Sequence, residues 1–230
     1  MSFGTLFSVT QEFDTVKMTQ ILVIRHGESV ANKEDKFAGV SDFDLTERGR
    51  MQAELAAKYI KERFTVNAVY ASDLLRAYNT ALPTAKAFGL EVNRAQAFRE
   101  IHAGRWEGVR YDEIMKTDGA IFSLWSTDYR GAYCPEGETV KQVVARAQAE
   151  ARRIAEAHDG ETVVIASHAT PVWAIRELAQ ENNKEYTNGS LAPNASITIL
   201  RYENGQFYEV RHSITEHLGE LATFLSVLED

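Results

Sequence analysis

The sequence has little cysteine and a deficit of positive charge, and both shortages narrow the class of protein. A single cysteine, Cys134, excludes an intrachain disulfide and favours a reducing, cytoplasmic location. Lys and Arg number 25 against 33 Asp and Glu, which gives a formal net charge of −8. Such a chain lacks the broad basic surface that nucleic acids require, so we expect no nucleic-acid partner. Any phosphate site has to be a local cluster of cations, which favours small phosphorylated ligands over polymers.

Long apolar runs and targeting signals are also missing. No stretch approaches the roughly 20 apolar residues of a membrane span, and residues 1–20 lack the basic start and apolar core of a secretory signal. No internal repeat or low-complexity tract is visible. With 44% hydrophobic residues, the chain of 230 residues can form one sizeable core. We therefore expect one domain over residues 1–230, with residues 1–18 as a flexible extension, and no membrane partner.

Apolar residues alternate between the spacing of strands and that of helices along the chain. Continuous apolar runs bounded by turn residues predict buried strands, and apolar residues at helical spacing predict helices. The predicted strands are Thr19–Ile24, Ala68–Ala71, Glu91–Arg94, Thr162–Ala166, Ser196–Tyr202 and Gln206–His212. The predicted helices are 46–63 (capped by Thr46), 74–88, 139–158 and one that begins at about Pro171. This order predicts an α/β fold with a mostly parallel central sheet, helices on both faces and an antiparallel final hairpin.

Polar side chains follow several of these strands at the point where each strand ends. Arg25 and His26 come directly after the first strand, Arg76 lies in the first turn of a helix after the second, and His168 follows the strand at 162–166. Glu100 lies in a loop after the third strand. The carboxyl ends of parallel strands meet at one edge of the sheet, where ligands bind in open α/β folds. Guanidinium groups pair with phosphate oxygens, so the pattern predicts a phosphate pocket.

Five short motifs in the same order make the chain similar to a known family. They are Arg25-His26-Gly27-Glu28-Ser29 with Asn32 and Phe37-Ala38-Gly39 behind it; Asp44-Leu45-Thr46-Glu47-Arg48-Gly49; Ser72-Asp73-Leu74-Leu75-Arg76-Ala77; Phe98-Arg99-Glu100-Ile101 with Gly104-Arg105-Trp106-Glu107-Gly108; and Ser167-His168. With these motifs the chain resembles the histidine phosphatase superfamily, also called the phosphoglycerate mutase-like family. One such motif alone is a weak signal, whereas five in family order are specific.

The resemblance implies a role for each matching residue. His26 would be the nucleophile that accepts the phosphoryl group, and Glu100 the proton donor to the leaving alcohol. Arg25, Arg76 and His168 would neutralise the phosphate oxygens. The further candidates for substrate binding are Asn32, Ala38, Gly39 and Ala169. No cofactor is implied, and no histidine–carboxylate cluster has the spacing of a metal site.

General chemistry agrees with these implied roles. A neutral imidazole is a competent nucleophile, and a covalent intermediate divides one difficult displacement into two easier ones. The transition state of phosphoryl transfer spreads charge over three oxygens, so fixed cations provide most of the stabilisation. One position departs from the family pattern, because Ala169 follows His168 where the family often has glycine. An alanine keeps the backbone N–H and only narrows the backbone conformations.

The same pocket supports a phosphatase or a mutase, and the insertion at residues 107–138 bears on the choice. Its pattern predicts a helical segment rich in aromatic residues, and we expect it to form a lid that contributes to specificity. It holds three basic residues against seven acidic ones, which does not suit a highly charged bisphosphate. We therefore predict a phosphomonoesterase acting on small organic phosphates. A cofactor-dependent phosphoglycerate mutase and a non-enzymatic domain that binds a phospho-ligand are the alternatives, and a homodimer through an exposed sheet edge is left open.

Overall fold

The computed structural model describes residues 18–182 and 191–223. The extension predicted for residues 1–18 therefore lies, apart from Met18, outside the described residues. Six strands are described: β1 Thr19–Arg25, β2 Ala68–Ala71, β3 Val92–Arg94, β4 Thr162–Ser167, β5 Ile197–Glu203 and β6 Gln206–Ile214. Seven α-helices are described: α1 Val30–Lys33, α2 Glu47–Arg63, α3 Leu75–Phe88, α4 Tyr111–Phe122, α5 Leu124–Thr127, α6 Val140–Ala157 and α7 Ala169–Arg176.

The strands form one sheet in the order β3-β2-β4-β1-β5-β6. The first four strands in this order are parallel, and β5 and β6 pair antiparallel at one edge. The mostly parallel sheet and the antiparallel final hairpin predicted from the sequence are confirmed. In the parallel part Arg25 is in register with Ser167, and Ala71 with Ala166. The ends of β1, β2 and β4 therefore meet at one edge of the sheet.

Apolar side chains of the central strands point alternately to the two faces of the sheet. In β1, Ile21 and Val23 belong to a core cluster with α6 and α7, whereas Leu22 and Ile24 belong to a second cluster with α2 and α3. All four side chains are at most 1% exposed. Strands buried on both faces are continuous apolar runs, because each face has to meet a layer of helices. This packing fixes β1 rigidly beneath the loop that follows it.

The predicted element boundaries agree with the structure to within two residues, and the largest difference at a helix start is in α7. The predicted start of the helix after β4 was about Pro171, whereas α7 begins at Ala169 with His168 as its N-cap. Proline is tolerated throughout the first helical turn, where the backbone N–H groups have no partner within the helix. A proline therefore marks the first turn of a helix without marking its first residue.

The insertion at residues 107–138 contains α4 and α5, and its aromatic rings pack against the loop after α1. Phe37 lies at the centre of this packing, with ring centroids 5.8 Å from Tyr111, 5.8 Å from Trp106 and 5.4 Å from Trp125. These contacts place the insertion beside the edge of the sheet where β1 and β4 end. Among the described residues, no helix has both the length and the apolar character needed to cross a membrane.

Candidate active site

The loop after β1 is held from both sides by neighbouring backbone. The His26 N–H donates to the Ser167 carbonyl at the end of β4 (2.8 Å), and the Arg25 guanidinium donates to the Ala192 carbonyl (2.6 Å). Arg25 is 3% exposed and His26 4% exposed. Because β1 and β4 are in register to their last residues, the same edge also carries His168.

One nitrogen of the His26 imidazole is in a hydrogen bond, and the other has no hydrogen-bond partner among the described residues. Its Nδ1 lies 2.7 Å from the Gly27 carbonyl oxygen. A carbonyl only accepts, so Nδ1 carries the proton and Nε2 keeps its lone pair. Burial, followed by the positive charges of Arg76 and Arg25, lowers the pKa of His26 well below its ordinary value. The side chain is therefore a neutral imidazole with a nucleophilic Nε2.

His168 lies beside His26, with 5.2 Å between the ring centroids. Its Nε2 is 2.8 Å from the hydroxyl oxygen of Ser72, a residue at the end of β2. Its Nδ1 is buried and has no hydrogen-bond partner in the described part of the chain. Burial and the charge of Arg76 lower the pKa of His168 well below its ordinary value. A second neutral imidazole thus has one nitrogen available for a ligand.

Two buried guanidinium groups complete the positive cluster. Arg76 is fully buried, and it donates to the carbonyls of Gly39 (2.7 Å) and Ser41 (2.9 Å). The Nε atoms of Arg25 and Arg76 are buried and lack a hydrogen-bond partner among the described residues. Burial lowers the pKa of Arg76 to about 10, which still leaves it charged at neutral pH. Buried charges need counter-charges, so this arrangement favours an anion between the two side chains.

Glu107 holds the loop of residues 38–41 that supports Arg76. Its carboxylate accepts from the N–H groups of Val40, Ser41 and Ala103, each at 2.9 Å, and from the Ser41 hydroxyl at 2.5 Å. Gly39 has a φ of +47°, and a Cβ there would lie 2.2 Å from Glu107 Oε1. A glycine is therefore required at this position by both conformation and space. Glu107 was part of a motif, but no pattern in the sequence indicated this role.

Glu100 belongs to the loop of residues 97–101, called here the acid loop, and its carboxylate lies between the backbone of this loop and the start of α7. Its Oε1 accepts from the Ile101 N–H (2.8 Å) and its Oε2 from the Thr170 N–H (3.3 Å). Arg146 on α6 holds this loop, since its guanidinium donates to the carbonyls of Ala97, Arg99 and Glu100 at 2.6–3.0 Å. No sequence pattern identified Arg146, because it lies 46 residues from Glu100 in an ordinary amphipathic helix.

One pocket brings eight of the nine predicted site residues together; it measures about 690 Å³, with the open solvent at its mouth included. They are Arg25, His26, Asn32, Ala38, Gly39, Arg76, Glu100 and Ala169. The ninth, His168, is not among the lining residues, and its ring centroid lies 5.2 Å from that of His26. Seven further lining residues were not predicted as site residues: Lys36, Phe37, Tyr111, Phe122, Trp125, Thr170 and Leu191. Most of these seven are aromatic or apolar, so the pocket has a cationic end and an apolar wall.

The three cations of the insertion lie outside this pocket. Arg110 and Lys116 form ion pairs with Asp112, and Arg130 pairs with Glu177. None of the three lines the pocket. In the described ranges, no group of three or more His, Cys, Asp or Glu side chains could hold a metal ion. The chemistry available in the pocket is therefore a neutral imidazole, two guanidiniums and a carboxyl group, which suits the transfer of a phosphoryl group onto nitrogen.

Comparisons with known proteins agree with this geometry. The model of the histidine phosphatase superfamily (branch 1) matches residues 21–215. Phosphoserine phosphatase 1 of Hydrogenobacter thermophilus is 32% identical over 205 residues, which cover 88% of this chain and 96% of that protein.

Two solved structures share the fold over most of their length. Bacillus stearothermophilus YhfR has a TM-score of 0.80 and 28% identity, over 87% of this chain and 99% of that one. A mycobacterial glucosyl-3-phosphoglycerate phosphatase in complex with VO3 has a TM-score of 0.74 and 26% identity, over 85% of this chain and 99% of that one. From its motifs, its fold and these matches, the chain belongs to the histidine phosphatase superfamily.

Proposed function

We propose that this protein is a phosphomonoesterase that hydrolyses small organic phosphates through a phosphohistidine on His26. The observation that carries the proposal is the state of the His26 ring. Its Nδ1 donates to the Gly27 carbonyl, its pKa is lowered by burial and by two guanidiniums, and it lines the pocket. A neutral Nε2 beside fixed positive charge is suited to attack a phosphate ester.

The reaction takes place in two displacements. His26 Nε2 attacks phosphorus while the ester P–O bond breaks, and Glu100 gives its proton to the departing alcohol oxygen. Water then attacks the phosphohistidine, the P–N bond breaks, and Glu100 takes the proton that water releases. Arg25 and Arg76 stabilise the charge on the three transferring oxygens in both steps, and His168 Nδ1–H donates to the same group.

The surroundings of the pocket favour transfer to water over transfer to a second hydroxyl. A mutase that binds a bisphosphate needs further cations for the second acidic group of its substrate. In this chain the cations of the insertion are all engaged in ion pairs away from the pocket, and Lys36 is the single lysine among the lining residues. The relatives named above are a phosphoserine phosphatase and a glucosyl-3-phosphoglycerate phosphatase, which supports small phosphorylated metabolites as substrates.

A panel of phosphomonoesters tests the proposed function. We expect release of inorganic phosphate from several members of the panel, phosphoserine and an aryl phosphate among them, without added metal. Strong phosphoglycerate mutase turnover that depends on a bisphosphate primer, with negligible hydrolysis, would establish the mutase instead. Phosphate binding with no turnover on any ester would identify a non-enzymatic binding domain.

Replacement of the proposed nucleophile gives the sharpest prediction. In His26→Ala we expect phosphate release to fall by at least about a thousandfold, because the covalent route is lost. Rapid quenching of the wild-type reaction with base should trap an acid-labile phosphoenzyme, and the variant should give none. The matched control is His212→Ala, which removes an exposed imidazole from β6. A His26→Ala variant that is as active as the control would refute the assignment.

A further inference from the structure

Asn194 is a buried side chain at the site that belongs to none of the motifs. It lies just before β5 and is 4% exposed. Its Nδ2 donates to the His26 carbonyl (3.0 Å) and to Oδ1 of Asn32 (3.2 Å), and its Oδ1 accepts from the Thr223 hydroxyl (3.2 Å). The amide group is thus bonded at both ends, with one partner in the loop after β1 (His26) and one in α1 (Asn32).

The orientation of the Asn32 amide follows from its neighbours. The Ser29 N–H, which can only donate, lies 3.0 Å from one end of this amide, so that end is Oδ1. The Ser29 hydroxyl (3.0 Å) and Asn194 Nδ2 lie on the same oxygen. Three groups therefore surround Oδ1, which leaves the NH₂ group of Asn32 as the end available to the pocket that this residue lines.

We propose that Asn194 is a positioning residue that fixes the Asn32 amide with its NH₂ group toward the phosphate. The inference rests on the proposed function, in which Asn32 donates to the phosphate of the substrate. Asn194 would act through Asn32, since it does not itself line the pocket. Its second bond, to the His26 carbonyl, is backed by the Ala195 N–H at 3.1 Å, so this carbonyl keeps a donor when Asn194 is replaced.

Binding of inorganic phosphate, measured by titration calorimetry, tests the inference without requiring turnover. In Asn194→Ala we expect the Kd for phosphate to rise about tenfold, the effect of one hydrogen bond lost from an orienting network. In Asn194→Asp we expect a larger rise, because a carboxylate brings an acceptor against the His26 carbonyl and Asn32 Oδ1. Asn93→Ala, an exposed amide on β3, is the matched control and should bind phosphate as the wild type does.

A double-mutant cycle separates positioning through Asn32 from a merely structural role. In an Asn32→Ala background, adding Asn194→Ala should change the Kd by less than about twofold, because the group that Asn194 orients is already absent. If the double variant raises the Kd by the product of the two single-variant factors, the proposal is wrong. It is also wrong if Asn194→Ala binds phosphate with wild-type affinity. Thermal melting of each variant tests that it is folded. If Asn194→Ala does not fold, the phosphate affinity of Asn194→Asp, which keeps the shape of the side chain, tests the proposal instead.

The outcomes also distinguish this inference from the proposed function. A wild-type protein that hydrolyses no ester but loses phosphate affinity in Asn194→Ala overturns the function and supports the positioning role. Hydrolysis by the wild type, together with unchanged phosphate affinity and unchanged kcat/KM in Asn194→Ala, overturns the positioning role alone. A wild-type protein that neither hydrolyses any ester nor binds inorganic phosphate overturns both.

Discussion

At the residue scale, the behaviour of His168 depends on one hydroxyl group. The Ser72 oxygen accepts from the Leu74 N–H (3.3 Å) and lies 2.8 Å from His168 Nε2. In the proposed mechanism the Ser72 hydroxyl donates to Nε2, which places the imidazole proton on Nδ1. Nδ1 is the nitrogen that lacks a partner among the described residues, so Ser72 leaves a donor ready for the phosphate.

Removing this hydroxyl should impair the proposed reaction while leaving the fold intact. In Ser72→Ala the ring loses the bond that selects its tautomer, and we expect kcat/KM to fall about tenfold, in keeping with one lost hydrogen bond. Ser72→Thr keeps the hydroxyl and should recover most of the loss. Steady-state kinetics on one phosphomonoester measures both. Equal losses in the alanine and threonine variants would show that the size of the side chain matters and that its proton does not.

Several residues at the site could not be found from the sequence, and the reason is separation along the chain. Arg25, His26 and Arg76 lie in compact motifs whose neighbours in sequence are also neighbours in space. Asn194, by contrast, meets the His26 carbonyl across 168 residues. Arg146 likewise meets the acid loop across 46 residues or more. An asparagine in a loop and an arginine in an amphipathic helix are both common, so neither residue stands out in the sequence. Only the folded structure shows what their side chains contact.

At the scale of elements, the loop of residues 38–41 is the part of the site most dependent on a single side chain. Within this loop the Ser41 N–H donates to the Ala38 carbonyl (2.9 Å), and the Glu107 carboxylate accepts from the N–H groups of Val40 and Ser41 and from the Ser41 hydroxyl. The loop in turn presents the Gly39 and Ser41 carbonyls to Arg76. The position of Arg76 therefore depends on a carboxylate that does not line the pocket.

Replacing this carboxylate by an amide should release the loop. In Glu107→Gln one acceptor oxygen becomes an NH₂ group that faces N–H donors, so two or more hydrogen bonds are lost. We expect KM for a phosphomonoester to rise about tenfold or more, with a smaller change in kcat. Glu136→Gln, whose side chain is 74% exposed in the same insertion, is the control. An unchanged KM would show that Arg76 keeps its position without the loop.

The elements themselves were largely predictable, because each is encoded by its own sequence. The apolar runs gave the strands of the sheet, and Thr46 was correctly identified as the N-cap of α2, where it accepts from the Gly49 N–H (3.0 Å). In the insertion, composition predicted helices rich in aromatic residues. Which of its rings enter the pocket was not predictable: Tyr111 and Trp125 line the pocket, whereas Tyr129 is not among the lining residues. That choice is made by tertiary packing around Phe37.

At the scale of the whole molecule, the fold keeps two imidazoles neutral at the centre of an acidic protein. His26 and His168 are buried beside two guanidiniums, although the chain carries a net charge of −8. Burial lowers the pKa of both histidines, and it also lowers that of His217, which packs against Tyr59. In the unfolded chain the same groups titrate near pH 6.5. Below that pH the unfolded state binds more protons than the folded state, so acid favours unfolding.

We therefore expect the free energy of unfolding to decrease as the pH falls from 7 to 5. Each histidine contributes at most about 1.4 kcal/mol per pH unit, and the carboxylates with lowered pKa do not contribute until more acidic pH. Urea denaturation in buffers free of phosphate measures the slope. His168→Gln removes one of the titrating groups and should flatten it, whereas His212→Gln, an exposed control, should not. Added phosphate should flatten the slope as well, because a bound anion stabilises the protonated imidazoles. A slope that is the same in the wild type and in His168→Gln would show that the folded protein takes up the proton at this site.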